Sequence, residues 1–540
     1  MKKLSIVALG LFTGITVYAQ PSPKGWHLLD PTKDGIFGIS LEKAHKFLSQ
    51  KKAQPIIVAV LDGGIDTTHE ALKPVLWKNP KEIPGNGIDD DGNGYIDDVY
   101  GWNFLGGKDG KNVDKCSDEK SRVFHNWKTR FNNGNIDTNL LSPADRKDFK
   151  TWKRAEAEMQ FSKDEELQVM YLDVTLKALK KHNVVLQEAM GKEVYSLDEL
   201  EKFNGTTKSV KESRAAFLNI MRMLEMESEE KNTSVIQQIE DYVEGKKRSF
   251  EALEKAPENY RLTVIGDDYF NINDRFYGNA DVMGPNAMHG THVSGIIAGR
   301  TTTNQPAYAG IAPNASIMTL RVVPDGDEYD KDIALGIIYA VDNGAKVINM
   351  SFGKSYSPEK YWVDSAVAYA EKKDVLLIHA AGNESNDLDI KENYPNGYLL
   401  KLGRNAQNFL NIGASGDPKV AGPYLTDFSN TGLKSVDLFA PGNKIFSTLP
   451  TGNEYGLQRG TSMAAPVVSG IAALIRSYYP QLTAVEVKDI LMKSVVFPTT
   501  DDGAILKQKS ITGGIVNAYQ AIIIADQIAS KKKTSAPKKK

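Results

Sequence analysis

One aspartate, one histidine and one serine stand in short segments whose composition suits acyl-transfer chemistry. Asp62 ends the apolar run PIIVAVLD, His289 opens HGTHVSGIIAGR, and Ser462 lies in GTSMAAPVVSG. Histidine can accept and return a proton near neutral pH, and a serine hydroxyl needs such a base to become a nucleophile. Each residue also has an ordinary alternative: Asp62 could cap a turn after a strand, His289 could bind a metal, and Ser462 could be a helix N-cap.

The metal alternative for His289 is weak. His292 lies three residues further on, whereas zinc-binding helices space their histidines four apart and place a glutamate after the first. No glutamate follows His289.

Alternating strands and helices must position these residues. Continuous apolar runs rich in β-branched residues predict buried strands of a parallel sheet; they cover 55–62, 316–323, 346–352, 375–381 and 409–414. Apolar residues at helical spacing predict helices at 331–342, 359–372, 482–494 and 515–528. The expected fold is therefore α/β, a mainly parallel sheet flanked by helices. Ligands of such sheets bind beyond the carboxyl ends of strands, where Asp62 would lie.

A Lys- and Glu-rich stretch at 106–262 interrupts this pattern and predicts a mostly α-helical insertion, with helices at 164–190, 210–229 and 234–253. It leaves 55–105 and 263–528 as the α/β domain. The insertion could be a solvated decoration, a lid, a substrate-docking surface or an internal inhibitor.

The two ends of the sequence predict export and a free tail. Lys2 and Lys3 precede an apolar run at 4–17 and small residues near Ala19, a pattern typical of a signal peptide at 1–19. We therefore expect a periplasmic or extracellular protein, since the run is too short to anchor it in a membrane. Residues 20–54 form an N-terminal segment, and the basic 529–540 predicts a disordered tail.

Composition narrows the partners. Sixty-six basic and 68 acidic residues give a net charge of −2, which offers no reason to expect a nucleic-acid partner. No further segment predicts a stable membrane span. Cys116 is the one cysteine, so no intramolecular disulfide can form and a bound metal is a candidate staple.

Four motifs together resemble the subtilisin-like serine peptidases. VLDGGID, HGTHVSG, HAAGNES and GTSMAAP occur in the family's order. The resemblance implies that Ser462 is the nucleophile, His289 the general base and acid, Asp62 the residue that orients the histidine, and Asn383 a donor to the oxyanion. It leaves His292 for packing or a hydrogen bond.

The same resemblance implies a peptide-binding cleft for protein or peptide substrates. Ser351, Phe352 and Gly353 would form an edge strand that pairs with the substrate backbone. Ala380, Ala381 and Gly382 would wall the pocket for the residue before the cut. Two alternatives remain: a catalytically silent scaffold that binds peptides, and a calcium-stabilised structural protein.

The segment NGIDDDGNGYIDD at 86–98 predicts a calcium loop. The expected ligands alternate with a glycine at the sixth position, Gly94; they are Asp89, Asp91, Asn93, Tyr95 (through its carbonyl) and Asp97. The glutamate expected at position twelve is absent, so the last ligand must come from elsewhere, such as Asp98. The alternative is an acidic turn. Resemblance to subtilisin-like enzymes implies that calcium would act as a stabiliser.

The chain departs from the family pattern in two ways. The insertion places Asp62 much further from His289 than in compact members. About 35 residues separate the predicted signal from the first strand, which is short for the propeptide usual in the family. Either the insertion assists folding, or the protein folds without a propeptide.

Overall fold

A computed structural model describes residues 23–131, 136–223, 230–285, 287–305 and 308–535. The predicted signal peptide and the last five residues of the predicted tail lie outside these ranges. The chain forms two compact units: residues 115–259 with 325–327 form the helical unit, and the remainder forms the sheet unit. The sequence placed the boundaries of the insertion at 106 and 262.

Eleven strands occur in the described part of the chain, all in the sheet unit: β1 Ile56–Asp62, β2 Gly101–Asn103, β3 Ala315–Arg321, β4 Val347–Met350, β5 Leu376–Ala380, β6 Tyr398–Leu399, β7 Arg404–Asn405, β8 Phe409–Ser415, β9 Leu438–Pro441, β10 Ile445–Leu449 and β11 Glu454–Gln458. Fourteen α-helices are described: α1 Leu41–Leu48, α2 Glu119–Phe131, α3 Pro143–Glu158, α4 Lys163–Met190, α5 Leu197–Lys202, α6 Lys208–Met223, α7 Asn232–Glu254, α8 Met288–Ala298, α9 Asp330–Asp342, α10 Lys360–Lys372, α11 Thr461–Tyr478, α12 Ala484–Lys493, α13 Asp501–Ala504 and α14 Ala518–Ser535.

The main sheet has seven strands in the order β2-β3-β1-β4-β5-β8-β9. Every neighbouring pair is parallel. The α/β fold expected from the sequence is therefore confirmed. Two short antiparallel hairpins, β6–β7 and β10–β11, lie apart from this sheet and were not predicted.

Apolar cores cover both faces of the sheet. In β1, Val58 and Val60 belong to one core, whereas Ala59 and Leu61 belong to the other. The first core includes residues of α1, α8, α11, α12 and α14, and the second includes residues of α9 and α10. This double burial explains why the strands read as continuous apolar runs.

The N-terminal segment belongs to the first core. Trp26 and Ile39 are fully buried. The Trp26 indole N–H donates to the carbonyl oxygens of Asn443 and Lys444 at 3.0 and 3.1 Å, and the Ile39 carbonyl accepts from the Ala518 N–H at 2.8 Å. The segment therefore packs into the sheet unit and contributes to its core.

The helical unit has a core of its own. Leu179 and Leu186 of α4 pack with Phe217 of α6 and Val235 of α7, all fully buried. Ser162 and Glu165 form a capping box at the start of α4, which explains the helix boundary that the sequence predicted near residue 164. Residues 224–229 of the helix predicted at 210–229 lie outside the described residues.

The predicted disordered tail is partly wrong. Helix α14 continues to Ser535. Ala529 is buried, and the Lys532 ammonium lies 2.6 Å from the Glu486 carboxylate, so residues 529–535 gain core and ionic contacts that composition did not reveal. Within the described ranges, no helix combines the length and apolarity that a bilayer crossing requires.

Candidate active site

Asp62 and His289 form a direct pair at the carboxyl end of β1. The imidazole Nδ1 lies 2.9 Å from both carboxylate oxygens of Asp62. Facing a carboxylate, Nδ1 must be the protonated nitrogen, so a neutral ring carries its lone pair on Nε2. Burial lowers the pKa of His289, but the charge and hydrogen bond of Asp62 outweigh this and raise the pKa above its usual value.

The pair depends on a close approach of helix α8 to the end of β1. A Cβ on Gly290 would overlap the Gly64 carbonyl oxygen and lie 3.1 Å from the Asp62 Cβ. Only glycine therefore allows the residue after His289 to pass this close to Asp62. Asp62 is buried, whereas the His289 side chain keeps 40% of its surface exposed. The buried carboxylate therefore holds the ring, and the exposed part of the ring is accessible to a ligand.

His292 has no part in this pair. It is fully buried, and its Nε2 lies 3.2 Å from the Gly456 carbonyl oxygen, to which it donates. Burial lowers the pKa of His292 to about 3, so the ring stays neutral. This agrees with the packing and hydrogen-bonding role that we expected for it.

Ser462 is the second residue of α11, and it is bonded to the segment after β4. Its Oγ donates to the Ser351 carbonyl oxygen at 3.0 Å. In return the buried Ser351 Oγ donates to the Ser462 carbonyl oxygen at 2.9 Å. Asn349 Nδ2 donates to Ser351 Oγ, and Ser469 Oγ donates to Asn349 Oδ1, each at 2.9 Å. This buried chain of hydrogen bonds fixes the first turn of α11.

Asn383 caps the same helix. Gly460, at the N-cap with φ of 147°, has no side chain to do so. Instead Asn383 Oδ1 accepts from the Thr461 N–H at 2.8 Å and from Thr461 Oγ1 at 3.1 Å. The amide oxygen is therefore used within the protein, which leaves the Nδ2 hydrogens for a ligand. No acceptor among the described residues receives the Ser462 N–H, so a second donor lies beside it.

The predicted substrate-backbone segment follows β4 but lies outside it, since β4 ends at Met350. Gly353 is exposed, Phe352 is half-buried, and Ser351 is buried with its side chain turned inward. In the chain alone these residues form no strand, because they pair with no neighbouring strand. Their pairing with a substrate stays a prediction.

The predicted pocket wall is only partly available to a ligand. Ala380 belongs to the core, and Ala381 is fully buried. Gly382, with φ of 100°, is half-buried and remains the one of the three that a ligand could approach. A continuous apolar run does not indicate which residues at the end of a strand face outward, so this burial could not be predicted from the sequence.

Asn393 is a residue near this pocket that the sequence did not suggest. Its Nδ2 donates to the Ala381 carbonyl oxygen at 3.0 Å. Its Oδ1 would lie 2.8 Å from a Cβ on Gly353, and its Nδ2 would lie 3.4 Å from one on Gly382. Asn393 therefore lies between the segments that follow β4 and β5, although it comes from a loop with no motif of its own.

An acidic cluster forms in the predicted calcium loop, with one unexpected member. Ligand oxygens of Glu82, Asp89 and Asp91 lie within 4.8 Å of one another. Glu82 is 8% exposed, and its Oε2 is buried without a hydrogen-bond partner among the described residues. Burial and the nearby carboxylates of Asp98 and Asp90 raise the pKa of Glu82. A cation would satisfy both the orphaned oxygen and the crowded negative charge.

Other predicted ligands are engaged elsewhere. Both carboxylate oxygens of Asp97 accept backbone N–H groups of residues 85–87, so Asp97 caps this turn in the chain alone, and its role as a calcium ligand stays a prediction. Asn93 Oδ1 accepts from the Tyr95 N–H at 2.8 Å, and its Nδ2 donates to Asp98 at 2.9 Å.

Asp98 and Tyr95 support the loop from within. Asp98, considered as the last ligand, is fully buried and accepts from Asn79 Nδ2 at 2.8 Å and from the Tyr339 hydroxyl at 2.6 Å. The Tyr95 ring packs edge-on against Trp102 and Tyr339, which leaves its carbonyl as the group that could bind a cation.

Comparisons with known proteins agree with this geometry. The Subtilase family model matches residues 53–519. Subtilisin-like protease 2 of Plasmodium falciparum is 33% identical over 282 residues, covering 49% of this chain and 18% of that protein. Two Bacillus subtilis proteins are also similar. The Major intracellular serine protease is 39% identical (40% of this chain, 62% of that protein), and Subtilisin E is 37% identical (39% and 51%).

The matched segments span less than two thirds of the length of each of these relatives. The family model, in contrast, covers most of the present chain, including Asp62, His289, Asn383 and Ser462. The protein belongs to the subtilase family.

Proposed function

We propose that this protein is a serine endopeptidase that hydrolyses peptide bonds in proteins through an acyl-enzyme. The observation that carries the proposal is the Asp62–His289 pair, with Nδ1 at 2.9 Å from both carboxylate oxygens. It leaves a basic Nε2 available to a hydroxyl. Ser462 lies in the first turn of α11, where Asn383 caps the Thr461 N–H and the Ser462 N–H has no acceptor among the described residues.

The proposed reaction begins with Ser462 Oγ turning from the Ser351 carbonyl to His289 Nε2. As Oγ attacks the substrate carbonyl carbon, its proton passes to Nε2, and Asp62 stabilises the imidazolium. The oxyanion accepts hydrogen bonds from Asn383 Nδ2 and the Ser462 N–H. His289 then donates the proton to the leaving amine, the C–N bond breaks, and an ester on Ser462 remains. Water hydrolyses this ester, with His289 again acting as base.

The proposed substrates are protein or peptide chains bound in extended form. Main-chain pairing with residues 351–353 would tolerate many sequences. The charge pattern of the N-terminal residues supports export, so we place the reaction in the periplasm or outside the cell.

We further propose that Ca²⁺ binds at Glu82, Asp89 and Asp91, with the Tyr95 carbonyl as a further ligand. The orphaned Glu82 Oε2 supports this assignment. Oxygen-only ligands suit a hard cation. When bound, the ion neutralises the clustered carboxylates and ties together residues 82–95, a stabilising role in a chain that cannot form an intramolecular disulfide.

A fluorophosphonate probe tests the proposed function, because it modifies only an activated serine. We expect the wild type to be labelled in the presence of calcium and Ser462→Ala to remain unlabelled. Ser365→Ala is the matched control, since Ser365 lies on α10 and its Oγ bonds only the Tyr361 carbonyl. A folded wild type that fails to react would favour the silent peptide-binding scaffold.

A further inference from the structure

Arg459 is an exposed cation three residues before the proposed nucleophile. It is the single residue between the end of β11 at Gln458 and the N-cap Gly460 of the helix that carries Ser462. Its guanidinium makes no ion pair or hydrogen bond with any described residue. Arginines buried or paired for stability behave differently: Arg321 and Arg476 each make several side-chain bonds. A fold-stabilising role therefore does not account for Arg459.

The hairpin that leads to Arg459 is tied to the histidine helix. Ser447 Oγ donates to the His292 carbonyl oxygen at 2.8 Å, and Thr448 Oγ1 donates to the Thr291 carbonyl oxygen at 2.7 Å. His292 Nε2 donates to the Gly456 carbonyl oxygen at 3.2 Å. These bonds run along α8, which carries His289. The end of β11 therefore belongs to the His289 side of the site.

The proposed chemistry indicates which part of the substrate lies on the His289 side. The leaving amine must receive its proton from His289, so the peptide after the scissile bond lies near the imidazole. The carbonyl oxygen of the acyl part faces Asn383 instead. Residues released with the amine therefore pass along the His289 side, where the hairpin ends in Arg459.

The acidic residue Glu384 has a hydrogen-bond partner of its own. Glu384 is exposed and follows Asn383, and its Oε2 accepts from Asn430 Nδ2 at 2.7 Å. Among the described residues, its carboxylate therefore bonds Asn430 and forms no ion pair with Arg459. The site presents an unpaired positive charge to the residues that follow the cut.

We propose that Arg459 binds acidic side chains on the first two residues after the scissile bond. This inference rests on the proposed endopeptidase function and adds a substrate preference to it. The planar guanidinium suits a carboxylate, and it repels lysine or arginine at the same positions. Because the pair is exposed to solvent, we expect a preference of at most about fivefold for acidic over neutral residues.

Internally quenched peptides test the preference. The peptides share the same residues before the cut and carry Asp, Gln or Lys at the first or second position after it. The measured quantity is the ratio of kcat/KM for the Asp peptide to that for the Lys peptide. In the wild type we expect a ratio well above one, which falls towards one as the salt concentration rises, since salt screens exposed charges.

Arg459→Glu should reverse this ratio, a change of about tenfold or more, because it replaces attraction by repulsion. Arg300→Glu is the matched control. It makes the same change in net charge at an exposed arginine beyond the far end of α8, and it should keep the wild-type ratio. Arg459→Gln, which preserves size and polarity, should bring the ratio close to one.

The outcomes separate this inference from the function on which it rests. Fluorophosphonate labelling reports independently whether each variant has a reactive nucleophile. If the wild type is labelled and cleaves the peptides while Arg459→Gln and Arg459→Glu keep its ratio, Arg459 is merely a solvated surface residue and the inference is wrong. If the wild type is not labelled, the proposed function fails first, and this preference fails with it.

Discussion

Ser351 and Ser462 exchange hydrogen bonds in both directions: each hydroxyl donates to the other residue's carbonyl oxygen, at 2.9 and 3.0 Å. In the chain alone the Ser462 hydroxyl therefore donates to the Ser351 carbonyl oxygen. The hydrogen bond from Ser351 Oγ to the Ser462 carbonyl oxygen holds the first turn of α11. Rotation about χ1 of Ser462 would free the Ser462 Oγ for the proposed catalysis. We therefore expect Ser351 to position the proposed nucleophile, in addition to any part that its backbone takes in substrate binding.

Replacing Ser351 by alanine should lower both stability and activity. The variant leaves the Asn349 amide and the Ser462 carbonyl without a partner at a buried position, which costs about 1–3 kcal/mol. Ser469→Ala is the matched control, because it breaks the far end of the same chain at Asn349 without touching Ser462. Thermal unfolding should respond in both variants, whereas kcat should fall much further in Ser351→Ala. Equal effects on kcat would contradict a positioning role.

The Asp62–His289 pair predicts a specific pH profile. Since Asp62 raises the pKa of His289, the neutral base forms only at higher pH, and the acid limb of kcat/KM should lie above the ordinary histidine value of about 6.5. Asp62→Asn removes the charge, so the limb should move to lower pH while the plateau drops by about 10⁴-fold, as for the same change in trypsin. An unmoved limb would show that His289 is not the titrating base.

Asn383 should affect kcat more than KM, since it contacts charge that develops only during attack. We expect Asn383→Ala to reduce kcat by about 100- to 1,000-fold, the range found when subtilisin loses the corresponding donor. Thr461→Val keeps the backbone N–H but removes the hydroxyl that holds Asn383 Oδ1, so it should reduce kcat by a smaller factor. Steady-state kinetics on one peptide compares the two. A larger loss for Thr461→Val would be contrary evidence.

Calcium should stabilise the protein through Glu82. A cation at one hundred times its Kd adds about 2.7 kcal/mol to the free energy of unfolding, and Glu82→Gln should lose most of this gain. Without calcium, the order of the two proteins in free energy of unfolding should reverse. The raised pKa means that burial penalises the Glu82 charge, so the neutral variant should be at least as stable as the wild type. Calorimetry with calcium and with a chelator measures both.

Asp97→Asn is the control for that experiment. Its carboxylate caps the turn at residues 85–87, so its loss should lower the unfolding temperature by the same amount with and without calcium. If Asp97→Asn abolishes the calcium effect while Glu82→Gln does not, the original assignment from the sequence would be right and the revised one wrong.

The N-terminal segment should remain in the active protein. Trp26 is fully buried, and Trp26→Ala should lower the free energy of unfolding by about 3–5 kcal/mol. N-terminal sequencing of purified active protein should therefore find a start before residue 26. An active form that begins after residue 54 would show that the segment is a propeptide after all. Lys24→Ala, an exposed neighbour, should leave stability nearly unchanged.

Much of the fold was predictable because it follows from local patterns. Five apolar runs correspond to β1, β3, β4, β5 and β8 within a few residues, since strands buried on both faces leave a strong signal. The hairpin β10–β11 was missed because its pattern is short and its role is to brace α8. Residues 529–535 were misassigned because their contacts come from α12 and the core, not from their own composition.

The sequence by itself determined which residues are the candidates for the chemistry. Asp62, His289, Asn383 and Ser462 stand in motifs whose residue types, order and neighbouring glycines are specific. Tertiary structure alone decided which other residues lie together: Glu82 with Asp89 and Asp91 in the acidic cluster, Ser351 bonded to Ser462, and Asn393 between the segments that follow β4 and β5. Motifs are contiguous in the chain and can be read locally. The residues that contact a motif are those that lie close to it in space, and this depends on how the strands and helices pack.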